Sequence, residues 1–236
     1  MFCKTVVNTI RELLMNSRRL LKDMLYEQVG RLVKGMANAK RLELVELLCQ
    51  SPKSVETLAN EAGISMKLAS AHLKELRLAH LVDTEKQGKQ VIYRISCPEV
   101  AGLLVMMRTV AEDRLLELQH SLKELSASSE PWTETDSETL WRKAQRGEVT
   151  VIDVRPIVEY AQQHLPFARS IPLAELRSRL SQIPKDKPVI AYCRGPFCAW
   201  SIDAVTLLEE EGYKAYQWRK GAADWIADPN WQVVPE

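Results

Sequence analysis

Two cysteines five positions apart, Cys193 and Cys198, lie in the stretch P-V-I-A-Y-C-R-G-P-F-C-A-W-S-I-D-A-V at residues 188–205. The apolar run 189–192 has the composition of a buried strand. It stops at Cys193 and gives way to a Gly-Pro turn and then an amphipathic helical pattern. Cys193 is thereby placed between a strand end and a helix start. The loop Arg194, Gly195, Pro196, Phe197, Cys198 can there turn its backbone N–H groups inward, and with the positive end of the following helix it makes an anion nest. A free cysteine titrates near ~8.5, and such settings lower that to roughly 3.5–7.5. Cys193 is therefore expected as a largely ionised, nucleophilic thiol at neutral pH. A buried structural thiol is the ordinary alternative.

At these residues the chain resembles a rhodanese, a sulfurtransferase whose active-site cysteine carries a persulfide. The segment V-I-D-V-R-P-I-V-E-Y-A-Q-Q-H-L-P-F-A-R-S-I-P at 151–172 is similar to the family's Asp-x-Arg, Glu-Tyr, His-Leu-Pro and Ala elements in the family's order, and Gly221 with Trp225 is similar to its late Gly-x-x-x-Trp. The resemblance covers about residues 132–236. It implies a catalytic Cys193, a sulfane-sulfur donor and a thiol acceptor. The related phosphatases need an arginine six positions after the nucleophile, where this chain has Ala199, so bidentate phosphate recognition is missing. Many rhodaneses also carry a second basic residue late in the loop to hold thiosulfate. Here that place is taken by Cys198, and Arg194 is the loop's one charged side chain. Cys198 is open to two readings: a small filler at a helix start, or a thiol that attacks a persulfide on Cys193.

Positioning such a loop takes an α/β domain, since strands alternating with helices at 149–154, 156–164, 173–181 and 189–192 imply a parallel sheet with the loop at a strand's C-terminal end. Asp153 and Arg155 read as structural ion-pair residues, with Glu159 a candidate partner for Arg155, and Trp225 reads as core. The chain has 236 residues, 46% of them hydrophobic, enough for two modest domains. Five cysteines are too few and too scattered for a disulfide scaffold, and a reducing cytoplasm suits them. No run approaches 18 apolar residues, which argues against a membrane span. Residues 1–128 carry 19 Lys+Arg against 15 Asp+Glu, and residues 129–236 carry 13 against 16. A basic first half beside an acidic second half suits a nucleic-acid contact at one end.

That first half supplies the matching elements. Apolar positions at helical spacing over 5–35 predict one or two amphipathic helices, 39–49 another, 55–62 a short one, and 66–79 a helix capped by Ser65 after the permissive Gly63. Residues 81–84 and 90–95 alternate around Gln87-Gly88 as a β-hairpin. Helix, turn, helix and wing in this order resemble the ArsR/SmtB winged-helix repressors, through A-K-R-L at 39–42, G-I-S at 63–65, S-A-H-L at 70–73 and the hairpin. The resemblance implies double-stranded DNA as partner. Ser65, Met66, Lys67, Ser70 and Ala71 would then face the major groove, His72 a phosphate or a helix partner, and Lys86 and Lys89 the minor groove or backbone. Leu68 has two readings, thymine contact or core.

The thiolate pair of the metal-sensing members is replaced by Ser54-Val55-Glu56. Glu117 with His120 is the one helical metal spacing, so no metal and no cofactor is assigned. Cys49 and Cys97 read as buried inert thiols. A single long helix is expected over 98–125, its apolar stripe pairing two chains into a homodimer. The expectation is thus a mostly α winged helix-turn-helix at 1–125, a linker at 126–131 and an α/β rhodanese-like domain with a parallel sheet at 132–236, the latter seated near the end of the long helix. The function expected is a cytoplasmic DNA-binding regulator that transfers or senses sulfane sulfur. Two alternatives are a sulfurtransferase using the winged helix mainly to dimerise, and a repressor whose rhodanese domain binds an anion without turnover.

Overall fold

A computed structural model describes residues 2–126 and 137–228, with side chains from residue 17 onward save that of Ser137. The first helix, α1, runs Phe2–Met36 without a break. Asn38 caps α2 (Ala39–Gln50) by accepting from the Arg41 N–H, and the extended Ser51 ends it. A two-residue strand β1 (Lys53–Ser54) leads into α3 (Val55–Glu61), capped by Ser54. The turn to α4 (Met66–Leu78) passes through Gly63 at φ 62°, and Ser65 caps α4 by accepting from Leu68 N–H. The wing is β2 (Val82–Gln87) paired with β3 (Gln90–Ile95) around Gly88 at φ 61°. β3 also pairs with β1, so the antiparallel sheet has the order β1-β3-β2.

The expected single helix over 98–125 is two helices, α5 (Pro98–Arg114) and α6 (Leu116–Leu125), parted by Leu115 in an extended conformation. Carbonyls freed by the break are satisfied by a side chain: Gln119 Nε2 donates to Glu112 O (2.8 Å) and Asp113 O (3.3 Å). The expected linker lies outside the described residues apart from Ser126.

The second domain begins with α7 (Ser137–Gln145) and β4 (Thr150–Asp153), then α8 (Ile157–Gln162) and β5 (Arg169–Ser170). The helix expected over 173–181 divides into α9 (Leu173–Leu176) and a tighter 3-10 helix (Arg177–Gln182). β6 (Val189–Tyr192), α10 (Trp200–Glu210), β7 (Ala215–Trp218) and α11 (Ala222–Ala227) follow. The sheet order is β5-β4-β6-β7, every pair parallel. Because strand side chains alternate between faces, Val189 and Ala191 join the core under α9 and α10, while Ile190 and Tyr192 join the one under α7 and α11.

α11 belongs to two cores. Ala222 and Trp225 pack into the parallel-sheet domain, whereas Ala223 and Ile226 pack against the winged-helix core formed by α2, α4 and α5. No described helix is long and apolar enough to cross a membrane.

Candidate functional site

Cys193 follows the last residue of β6, as the sequence predicts, but it is enclosed rather than open. Its sulfur is buried, 1% exposed. It faces carbonyl oxygens, Cys198 O at 3.4 Å and Gly195 O at 4.0 Å, and the Ser201 hydroxyl at 3.2 Å. The Cys198 N–H is turned into the loop's own hydrogen bond, to Gly195 O (3.2 Å). Burial and the neighbouring Cys198 therefore push the Cys193 thiol up, against a smaller opposing pull from Ser201. Cys198 moves the other way. A hydrogen bond from the Cys193 thiol, with burial opposing, brings it down to about 7. The two thiols of this closed loop are thus pushed in opposite directions, Cys193 up and half-buried Cys198 down. The lowering expected for Cys193 is opposed by burial and by Cys198.

Arg194 does not face the thiol either. Its Nη2 and Nε donate to Glu159 at 2.5 and 3.1 Å, Nη2 also lies 3.0 Å from Glu61, and its guanidinium packs 4.5 Å from the Trp200 ring centre. Burial disfavours the charge, yet Glu159 and Glu61 raise the Arg194 pKa further than burial lowers it. Gly195 and Pro196 are buried and Phe197 is exposed at the rim. Gly221 backs directly onto the loop: a Cβ there would collide with the Arg194 carbonyl oxygen, so only glycine allows this approach.

What covers the loop is the winged helix. Gln50, the last residue of α2, donates from Nε2 to the Arg194 carbonyl (3.2 Å) and accepts at Oε1 from Arg155 Nη1 (2.9 Å). Lys53 of β1 donates to Glu159 (2.7 Å) and lies 3.3 Å from Glu61, the last residue of α3. Gln163 Nε2 donates to Cys49 O (2.9 Å), and Arg108 of α5 pairs with Asp224 of α11. Glu46 of α2 points at the space beside Gly195; burial raises its carboxyl to about 7 despite Arg108. Arg155 forks onto Asp153, two residues back along the same strand end (Nη2 at 2.6 Å). Glu159, expected as its partner, is instead taken by Arg194 and Lys53. Burial opposes ionisation of Glu159, but those two cations hold its carboxyl below the ordinary range. The sulfur loop thus meets α2 and α3, with β1 meeting α8 and α5 meeting α11, rather than the end of a long dimer helix.

Sequence reasoning does not find Gln50, Lys53, Glu61, Glu46, Ser201 or Gln217. Ser201 and Gln217 form a buried chain to the thiol, Gln217 Nε2 donating to Ser201 Oγ at 3.0 Å. Their only sequence signal is a polar residue inside otherwise apolar runs, at the start of α10 and within β7.

On the winged helix, Ser65, Met66, Lys67, Ser70 and Ala71 lie exposed along one side of α4, opposite buried Ala69, Leu73 and Leu76. His72 is half-buried and Leu68 is on the exposed side, 43% accessible. Lys86 and Lys89 are exposed at the wing tip. Cys49 is buried, its thiol raised by burial to about 12, and Cys97 is exposed, contrary to its reading as buried. His120 pairs with Glu124 (3.3 Å) rather than Glu117, and among the described residues no group of three or more His, Cys, Asp or Glu could hold a metal ion.

Comparison with known proteins agrees with this division. Residues 38–84 match the family model "Bacterial regulatory protein, arsR family", and residues 136–228 match "Rhodanese-like domain". The HTH-type transcriptional regulator Rv0324 of Mycobacterium tuberculosis is 36% identical over 204 residues, which is 86% of this chain and 89% of the relative. A sulfurtransferase of Allochromatium vinosum is 36% identical over 105 residues, 44% of this chain and 96% of the relative. The solution structure of the homodimeric winged helix-turn-helix DNA-binding domain Mb0332 from Mycobacterium bovis shares 35% identity over 41% of this chain and 89% of that one, with a TM-score of 0.39. With a relative of this identity spanning most of both chains, the protein belongs to the arsR family of bacterial regulatory proteins and carries a rhodanese-like domain behind its winged helix.

Proposed function

We propose that this protein is a dimeric, cytoplasmic DNA-binding regulator that takes sulfane sulfur onto Cys193 and reports it to the winged helix. The observation that carries the reading is the shared buried surface: the loop 193–196 is enclosed, and Gln50 and Glu61, at the ends of α2 and α3, meet it at Arg194, while Lys53 of the wing's sheet holds Glu159, the partner of Arg194. Sulfur added to the buried Cys193 requires room, and the bonds of the adjacent Arg194 to Gln50 and Glu61 are the ones that a shift of the loop would alter. Those bonds are the differential contacts that any coupling between two sites requires.

DNA contact is assigned to the exposed side of α4, with Lys67 at a base edge or phosphate, and to Lys86 and Lys89 on the wing. The dimer is assigned to α1. Leu21, Met24, Leu25, Val29 and Val33 leave an apolar face exposed there, continuous with the winged helix, and a second copy of this helix is the matching cover.

Titration of a duplex selected by the protein from a random pool, at fixed salt, tests the reading. Reduced, persulfidated and Cys193→Ser proteins are compared. A 5- to 150-fold weaker affinity on sulfur loading is expected, about 1–3 kcal/mol of coupling. Three superimposable curves would mean that the domains share a chain but not a signal.

A further inference from the structure

A second thiol, Cys198, lies in the same closed loop as Cys193. The Cys193 sulfur is sealed from solvent, its only thiol neighbour among the described residues is Cys198, and the turn closed by Cys198 N–H to Gly195 O folds one cysteine back over the other. Both thiols pack against one apolar cluster, and the Cys193 thiol lies 3.4 Å from the Cys198 carbonyl. They differ in access: Cys198 is half-buried beside the exposed Phe197 and Ala199, so it is the sulfur that solvent reaches first. The loop's one cation is meanwhile occupied by Glu159, Glu61 and the Trp200 face, leaving none to hold an anionic donor or an external anionic acceptor.

We propose that Cys198 is a second catalytic residue, a resolving thiol that reduces the sulfur on Cys193 to sulfide and closes a Cys193–Cys198 disulfide. This rests on the reading that Cys193 takes up sulfane sulfur, and it names the substrate class: small organic persulfides, R–S–SH, in preference to thiosulfate. In loading, the Cys193 proton passes to the Cys198 thiolate as the Cys193 sulfur attacks the terminal sulfur of R–S–SH. The donor's S–S bond breaks and R–S⁻ leaves, taking the proton from Cys198 to become R–SH. In resolution the Cys198 thiolate attacks Sγ of Cys193. The persulfide S–S bond breaks, and its electron pair departs with the outer sulfur as HS⁻. The sulfane sulfur gains two electrons, the two cysteines lose two and become a disulfide, and a dithiol reductant returns them to thiols.

The full chain, fully reduced, is mixed with one equivalent of glutathione persulfide. Sulfide release is followed in time, and intact-mass and peptide mapping locate the sulfur. Wild type should release one sulfide per chain and end with a Cys193–Cys198 disulfide, whereas Cys198→Ser should hold one extra sulfur on Cys193 and release sulfide at least about tenfold more slowly. Cys198→Ala, which leaves no hydroxyl, should behave the same way, and circular dichroism matching wild type shows that either variant is folded. Equal release rates in wild type and both variants, with sulfur on Cys193 throughout, overturn the resolving role alone. Sulfur that never reaches Cys193 in any variant overturns the sulfane-sulfur reading as well. Sulfur on Cys198 in Cys193→Ser, with none on Cys193 in Cys198→Ser, reverses the two roles and also overturns the proposal.

Discussion

Replacing Glu159 with glutamine tests whether the ionic cluster joining the two domains is as strong as its geometry implies. Glu159 is fully buried and accepts from Arg194 at 2.5 and 3.1 Å and from Lys53 at 2.7 Å. Glutamine keeps the shape and removes the charge, leaving two buried cations against a neutral amide. Removing one partner of a buried pair costs about 3–5 kcal/mol when nothing else compensates the remaining charge. Here Glu61 still lies 3.0 Å from Arg194 and 3.3 Å from Lys53, so the lower end, about 3 kcal/mol, is expected. The sign with pH follows from the depressed carboxyl. Stability from Glu159 is present above its unfolded value of 4.5 and is lost as pH falls through the lower folded value, so Glu159→Gln should flatten that acid limb. The assay is urea unfolding of the full chain at pH 7 and in an acid series, followed by circular dichroism and tryptophan fluorescence, coincident curves licensing one free energy. Glu211→Gln, which loses only an exposed pair with Arg177, should change little. A loss below about 1 kcal/mol for Glu159→Gln would refute the claim that this cluster holds the loop against the winged helix.

Other substitutions probe the remaining parts. Glu46 is raised from 4.5 to about 7 by burial, so it weakens the folded state progressively as pH rises from about 4.5 to 7; Glu46→Gln should remove that slope and gain up to about 3 kcal/mol at pH 8 in the same urea series. Ser201→Ala removes the hydroxyl that favours a Cys193 thiolate, so the pH profile of Cys193 alkylation by iodoacetamide, read by peptide mapping, should move to higher pH; an unmoved profile would remove Ser201 from the site. Lys67→Ala should cost about 1–3 kcal/mol of specific DNA binding if the lysine reads a base, whereas Lys89→Ala should weaken all duplexes alike and lower the salt slope by about one; unchanged affinity in both would take this helix and wing out of the interface.

The elements legible in the sequence are those whose cause is local. The continuous apolar run of β6 follows from burial on both faces, and the Gly88 hairpin and the Ser65 cap follow from backbone chemistry within a few residues. That is why Cys193 could be placed at a strand end, and Lys67 on an exposed helix side, from residue types alone. The chemistry of the thiol was not legible. It depends on how deeply the sulfur is buried and on Cys198 and Ser201 beside it, and the burial is decided by what presses on the loop from behind. Gly221 must meet the Arg194 carbonyl and Gln50 must accept and donate across the joint, from positions more than a hundred residues away along the chain for Gln50. Nothing in the sequence singles out Lys53 and Glu61, whose partners Glu159 and Arg194 come from the other domain. The break at Leu115 is hidden for a similar reason, since no proline or glycine marks it and a glutamine side chain satisfies the freed carbonyls. An arginine next to a reactive cysteine is naturally read as the group that charges the thiol. In this fold it is the group that ties the loop to the DNA-binding half. Its charge is held by Glu159 and Glu61 rather than offered to the Cys193 sulfur.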